Sequence, residues 1–88
     1  MTEREIRELI CQALRYASVP GFNRSDRQAA FINGEDVGLD DLEIDSLAAM
    51  ELCIAIETNL DVTLLPAELP ALGSLNGIVR RVEELQRA

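Results

Sequence analysis

The stretch SLAAMELCIAIETNL, residues Ser46–Leu60, decides the fold class of this chain. It contains no glycine or proline and is rich in good helix formers, so it predicts a helix. The apolar stripe expected to face the core consists of Ala49, Leu52, Ile56 and Leu60. A second stripe, rotated away from the first, consists of Leu47, Met50 and Ile54. A helix that is apolar on two sides needs either deep burial or a partner.

The N-terminal segment predicts an amphipathic helix. Thr2 and Glu5 form a capping-box pattern at its start, and Pro20 with Gly21 stops it. Its apolar face has the i, i+3, i+4, i+7 spacing of one helix side and contains Ile6, Leu9, Ile10, Ala13, Leu14 and Ala17.

The C-terminal segment predicts another amphipathic helix, capped by Ser74. Its apolar face contains Leu75, Ile78, Val79, Val82 and Leu85. Any helix between Pro66 and Pro70 is short because prolines interrupt it. With no strand signal and no repeat, the chain is predicted to be all-α: a four-helix bundle with three long helices, one short helix and a long first loop.

That first loop covers residues 20–45, and a connection of this length usually carries function or contains a short element. Ser25 and Gln28 form a second capping-box pattern, and Asn33 with Gly34 is a helix stop, so one or two helical turns are expected. The residues expected to pin the loop to the core are Phe31, Val37, Leu39, Leu42 and Ile44. We therefore expect a structured loop.

Length and charge restrict the partners. The 88 residues are enough for one domain, 1–88. The net charge of −8 disfavours binding to nucleic acid or to an anionic membrane and favours partners with basic surfaces.

No segment has the length of a membrane span, and no basic-then-apolar leader is visible. Cys11 and Cys53 are far apart and are expected to be reduced thiols. We expect a cytoplasmic monomer.

Composition also argues against catalysis. Histidine is absent, which removes the commonest general base and metal ligand. Neither cysteine has a base nearby in sequence, so we expect no enzyme and no catalytic residue. The acidic residues between positions 35 and 61, with no basic residue among them, are Glu35, Asp36, Asp40, Asp41, Glu43, Asp45, Glu51, Glu57 and Asp61. Their spacing does not fit a calcium loop, so no metal site is predicted.

The tripeptide Asp45-Ser46-Leu47 stands where the loop meets the central helix. On one interpretation it is a helix cap, since Asp and Ser are both preferred there. On the other, an exposed Ser46 is an attachment point, because a phosphate on its hydroxyl would lie at the positive end of the helix dipole. Unmodified, the serine has no base to activate it.

The run from Leu39 through Leu42 and Ile44 to Asp45-Ser46-Leu47, followed by Met50-Glu51-Leu52 and Ile56-Glu57, resembles the phosphopantetheine attachment region of acyl carrier proteins. The consensus of that region is G-x-D-S-L at the start of the second helix. The resemblance extends over essentially the whole chain. It implies a 4′-phosphopantetheine arm on Ser46, holding acyl groups as thioesters, and a role for Asp45 in assisting the phosphopantetheinyl transferase.

The resemblance further implies that partner enzymes, which load and process the acyl group, read the central helix. The matching positions are Leu47, Met50, Glu51, Ile54 and Glu57. Glu43 departs from the usual glycine, and Ala48 and Thr58 stand where fatty-acid carriers often have acids. These departures suggest a specialised lipid or polyketide-type pathway rather than general fatty acid biosynthesis. An aminoacyl or peptidyl carrier, or a helical interaction module that is never modified, remains an alternative.

Overall fold

The computed structural model describes residues 2–17, 19, 22 and 25–87. Over these residues the chain forms helices and no strand, which confirms the all-α prediction. The helices are α1 (Glu3–Tyr16), α2 (Ser25–Ile32), α3 (Leu39–Leu42), α4 (Ser46–Leu60), α5 (Leu69–Leu72) and α6 (Leu75–Arg87), with a 3-10 turn at Pro66–Glu68 before α5. No helix in this described part of the chain is both long and apolar enough to cross a bilayer.

Helix α1 begins with the predicted capping box. The Glu5 N–H donates to the Thr2 hydroxyl (3.2 Å), and the Thr2 N–H donates to Glu5 Oε1 (3.1 Å). The helix packs against α4, α2 and α6 and buries Ile6, Ile10 and Leu14 completely. The predicted stop at Pro20 and Gly21 lies outside the described residues.

Helix α2 confirms the turns expected in the first loop, but its predicted capping box is wrong. Ser25 is the first residue of the helix and does not precede it, and the Gln28 amide instead donates to the Phe22 carbonyl (2.9 Å). The buried Arg7 of α1 fixes α2 in place: its guanidinium donates to the Phe31 carbonyl (2.9 Å) and stacks 5.0 Å from the centre of the Phe31 ring. Arg7 also pairs with Glu3 of its own helix, whose Oε2 lies 3.0 Å from the Arg7 Nε, so the buried charge is paired and α2 is tied to α1.

The remainder of the first loop contains α3, which is a single helical turn. The sequence predicts no helix at these four residues, only a structured loop. Around it, the chain pairs with the start of α6. The Leu39 N–H donates to the Gly73 carbonyl (3.1 Å), and the Leu75 N–H donates to the Val37 carbonyl (2.9 Å). Asp36 Oδ1 accepts from the N–H groups of Val37 (2.9 Å) and Asn76 (3.0 Å).

These bonds cap α6 from a distant part of the chain and fix the segment that leads into α4. Partial burial acts to raise the pKa of Asp36, but hydrogen bonds from the Asn76 N–H, the Ser74 hydroxyl and the Val37 N–H outweigh it and hold that pKa below its usual value. Ser74 also caps α6 as predicted, since its hydroxyl accepts from the Gly77 N–H (3.2 Å).

Candidate functional site

The junction between α3 and α4 contains two residues with special backbone roles. Glu43 ends α3 in the left-handed conformation, with φ 53° and ψ 46°. A side chain in this region costs on the order of 1 kcal/mol relative to glycine. Asp45 then caps α4: its Oδ1 accepts from the Ala48 N–H at 2.7 Å, and its carbonyl accepts from the Ala49 N–H at 2.9 Å. The tight turn therefore delivers the chain into α4 with Asp45 as the cap.

Ser46 is the first residue of α4, and its side chain is exposed. Because Asp45 performs the capping, the Ser46 hydroxyl is not needed for that role. The N–H groups of Ser46 and Leu47 lie in the first helical turn, where they have no partner within the helix. Together with the positive end of the helix dipole, these N–H groups favour a negative charge at this end of α4. The position suits an anion attached to the serine oxygen.

An open groove of about 520 Å³ lies beside Ser46. One wall is α4, a second is the 3-10 turn with α5, and a third is the segment from α3 to Asp45. Its lining, mostly apolar, consists of Leu39, Asp40, Ile44, Asp45, Ser46, Ala49, Met50, Pro66, Ala67, Leu69 and Pro70. We call this the Ser46 groove. Nothing in the sequence indicates that the wall at residues 66–70 faces Ser46, although the prolines do mark a short, separate element there.

The second apolar stripe of α4 lies on the surface of the molecule. Leu47 is 63%, Met50 50% and Ile54 55% exposed. Glu57 is exposed as well, whereas Glu51 is half-buried. The structure thus places all five sequence-predicted partner residues on α4, with Met50 both in the second stripe and in the Ser46 groove.

The two cysteines are buried and unpaired. Burial raises the pKa of Cys53 to about 11 and also raises that of Cys11, so both thiols are protonated at neutral pH. The acidic residues do not converge: among the described residues, no cluster of three or more carboxylate or thiol side chains could hold a metal ion.

A small helical domain with an exposed serine at the start of a central helix, next to an apolar groove, has the architecture of a carrier that bears a prosthetic arm. The sequence profile described as "Phosphopantetheine attachment site" matches residues 4–82, so the chain belongs to this family. Neither curated proteins nor solved structures give a significant match. The family is defined by a covalently attached 4′-phosphopantetheine. Its carrier domains are non-catalytic and interact with modifying transferases and acyl-processing enzymes.

Proposed function

We propose that this chain is a single-domain carrier that holds acyl intermediates as thioesters on a 4′-phosphopantetheine arm attached to Ser46. The observation that carries the proposal is the position of Ser46: exposed, first in α4, relieved of capping by Asp45, and open to the apolar groove. The site fits the group, because the helix start suits the phosphate and the groove suits an apolar chain. When bound, the arm supplies the thiol that forms the thioester.

Attachment needs help from the transferase. The Ser46 oxygen forms a new bond to the phosphorus of the phosphopantetheine half of coenzyme A, and adenosine 3′,5′-bisphosphate leaves. In this proposal the proton of the Ser46 hydroxyl goes to a base on the transferase. We assign to Asp45 the role of assisting that enzyme, because it is exposed and directly precedes Ser46.

The docking surface for partner enzymes is proposed to be α4. Leu47, Met50 and Ile54 offer apolar contact, and Glu51 and Glu57 orient basic partners. Ala48 is only 6% exposed, so the missing acid at that position reflects core packing. Thr58 is exposed and does remove a surface charge. The surface of α4 therefore has fewer carboxylates than fatty-acid carriers often have there. This difference supports a specialised lipid or polyketide-type pathway with its own partner set.

We include in this proposal that the chain is not itself an enzyme and works in the cytoplasm as a monomer. Cys11 and Cys53 are buried and protonated, which supports the absence of a nucleophilic role.

The test is incubation with coenzyme A and a broad-specificity phosphopantetheinyl transferase, followed by intact-mass measurement. One arm should be added to the wild type and none to Ser46→Ala. Ser25→Ala is the matched control, because Ser25 is an exposed serine that also opens a helix, and it should be modified normally. A wild type that several transferases leave unmodified would mean that the chain is an interaction module and not a carrier. A modified Ser46→Ala variant would mean that the arm is attached to a residue other than Ser46.

The cargo is a separate measurement. Intact mass of the chain purified from its native host should show the arm with an acyl group on it. An aminoacyl or peptidyl mass would keep the carrier role and replace the acyl assignment.

A further inference from the structure

Gly77, in the first turn of α6, has no room for a side chain. A Cβ placed on it would overlap the carbonyl oxygen of Leu72 and lie 3.1 Å from the Leu72 carbonyl carbon. The obstacle is backbone, which cannot rotate away as a flexible side chain could. The absence of a Cβ at position 77 therefore lets the last turn of α5 rest directly on α6.

The chain corner that rests on Gly77 also holds the first loop. Leu72 ends α5, and Gly73 follows in the left-handed conformation with φ 76°. The Gly73 carbonyl accepts from the Leu39 N–H at 3.1 Å, and Leu39 lines the Ser46 groove. Two walls of the groove, α5 and the Leu39 segment, are thus anchored at one corner.

Helix α5 borders both α6 and the Ser46 groove. It packs against α6, and its residues Leu69 and Pro70 line the groove, whereas α6 contributes no lining residue among those described. A displacement of α5 away from α6 is therefore expected to shift this wall of the groove and to narrow it. Because protein interiors are close-packed, a change of a single methylene in such a site is felt.

We propose that Gly77 is a positioning residue that sets the width of the Ser46 groove and so the longest acyl chain that the carrier shelters. The proposal rests on the proposed carrier function. Gly77 does not line the Ser46 groove and acts through α5.

The experiment uses wild type, Gly77→Ala and Gly38→Ala, each loaded with straight-chain acyl-phosphopantetheine of increasing length from acyl-coenzyme A. Gly38→Ala is the matched control, because a Cβ there meets only Asp41 Oδ2 at 3.5 Å and φ is −68°. The readout is the Tm of each acylated form relative to the same variant carrying the bare arm.

In the wild type and in Gly38→Ala, Tm should rise with chain length until the groove is filled and then level off. In Gly77→Ala the plateau should come earlier, by about one or two methylene groups. A purely structural role would lower Tm equally for every form of Gly77→Ala and leave the plateau length unchanged.

If Gly77→Ala alone does not fold, the same series is run in a Glu43→Gly background, which relieves a left-handed glutamate and offsets the lost stability. An unchanged or longer plateau in Gly77→Ala, or a wild type with no dependence on chain length, overturns the inference. Failure to load the wild type at all would instead overturn the carrier function.

Discussion

Helices α4 and α6 have similar lengths but use their apolar residues differently. In α6 the residues Leu75, Ile78, Val79 and Val82 are all buried, and charged side chains occupy the other faces. In α4 the buried residues are Ala48, Leu52, Cys53, Ile56 and Leu60, yet the second stripe remains half or more exposed. Helix α6 has only the apolar surface that the core needs. The additional apolar surface on α4 is exposed, so it is available to partners.

The N-terminal ends of α4 and α6 also differ in how far other parts of the chain cover them. Helix α6 is capped from a distance by Asp36 and locally by Ser74, and chain pairing covers its first turn. In the part of the chain that the structure describes, α4 takes its cap from the adjacent Asp45, and Ser46 is exposed. The start of α6 is covered by other parts of the chain, whereas the start of α4 leaves a serine hydroxyl exposed.

The largest expected effect compares two isoleucines of α4. Ile56 is completely buried and Ile54 is 55% exposed. Ile56→Ala should lower the free energy of unfolding by about 2–5 kcal/mol through lost burial and a cavity. Ile54→Ala should change it by less than about 0.5 kcal/mol, as surface substitutions usually do. Urea denaturation of both variants is the measurement. Equal losses would show that the second stripe is part of the core after all.

The next prediction concerns partner recognition by α4. Met50→Ala should lower kcat/KM of the transferase, or of a cognate loading enzyme, about 10-fold, because an apolar anchor in an interface is worth roughly 1–2 kcal/mol. Glu51→Ala should cost no more than that, since Glu51 is half-buried and few carboxylates share the surface. Added salt should weaken association only modestly.

The check is kcat/KM for both variants at low and high salt, with circular dichroism to confirm folding. A large loss for Glu51→Ala that disappears at high salt, beside a nearly normal Met50→Ala, would show that charge dominates recognition on α4.

The long helices could be predicted because their signal is local. Apolar periodicity and the Thr2–Glu5 and Ser74 caps are visible in α1 and α6 before any tertiary contact is known. Helix α3 could not be predicted, since the four residues Leu39–Leu42 are too short for periodicity to accumulate. The burial of Arg7 depends on Phe31, which lies 24 positions away.

The candidate site also has one part with a local sequence signal and one part that depends on tertiary contacts. Asp45 and Ser46 stand out through a local motif and a resemblance, so their positions at the start of α4 are as expected. The Ser46 groove is missed, because its wall at Leu69 and Pro70 is placed by contact between α5 and α6. Which of Asp45 and Ser46 caps the helix depends on the residue at which the backbone becomes helical, and the sequence leaves that open; in the structure Asp45 is extended, with φ −86° and ψ 178°, so Asp45 is the cap.

The distant cap of α6 gives a pH-dependent prediction. The folded-state pKa of Asp36 lies below its unfolded value of about 3.9, so its stabilisation is present above that pH and is lost as pH falls through the folded pKa. Asp36→Ala should cost about 1 kcal/mol at neutral pH, as a lost cap does, and progressively less as the pH falls below the ordinary Asp pKa of about 3.9.

Urea denaturation at several pH values measures this, with Glu35→Ala as the control because Glu35 is exposed, acidic and adjacent in sequence. A loss for Asp36→Ala that is as large at the lowest pH as at neutral pH would show that the ionised carboxylate does not hold the cap.

The smallest expected effect concerns the turns that precede the two helices. The turn before α6 places a glycine, Gly73, in the left-handed region, whereas the turn before α4 places Glu43 there. Asp61, after α4, is also left-handed, but aspartate tolerates this conformation better than glutamate does. Glu43→Gly should therefore raise the free energy of unfolding by about 0.5–1 kcal/mol.

Asp41→Gly is the opposing control, because Asp41 lies in right-handed α3, where glycine should lower stability by a similar amount. Urea denaturation of the two variants should give opposite signs. Because the Glu43 side chain is exposed, the only large change expected is the loss of the strain of a left-handed glutamate backbone. The rate of modification at Ser46 should therefore stay close to that of the wild type. A loss of stability in Glu43→Gly would mean that rigidity of the turn before α4, which glycine would relax, outweighs the strain of holding a glutamate there.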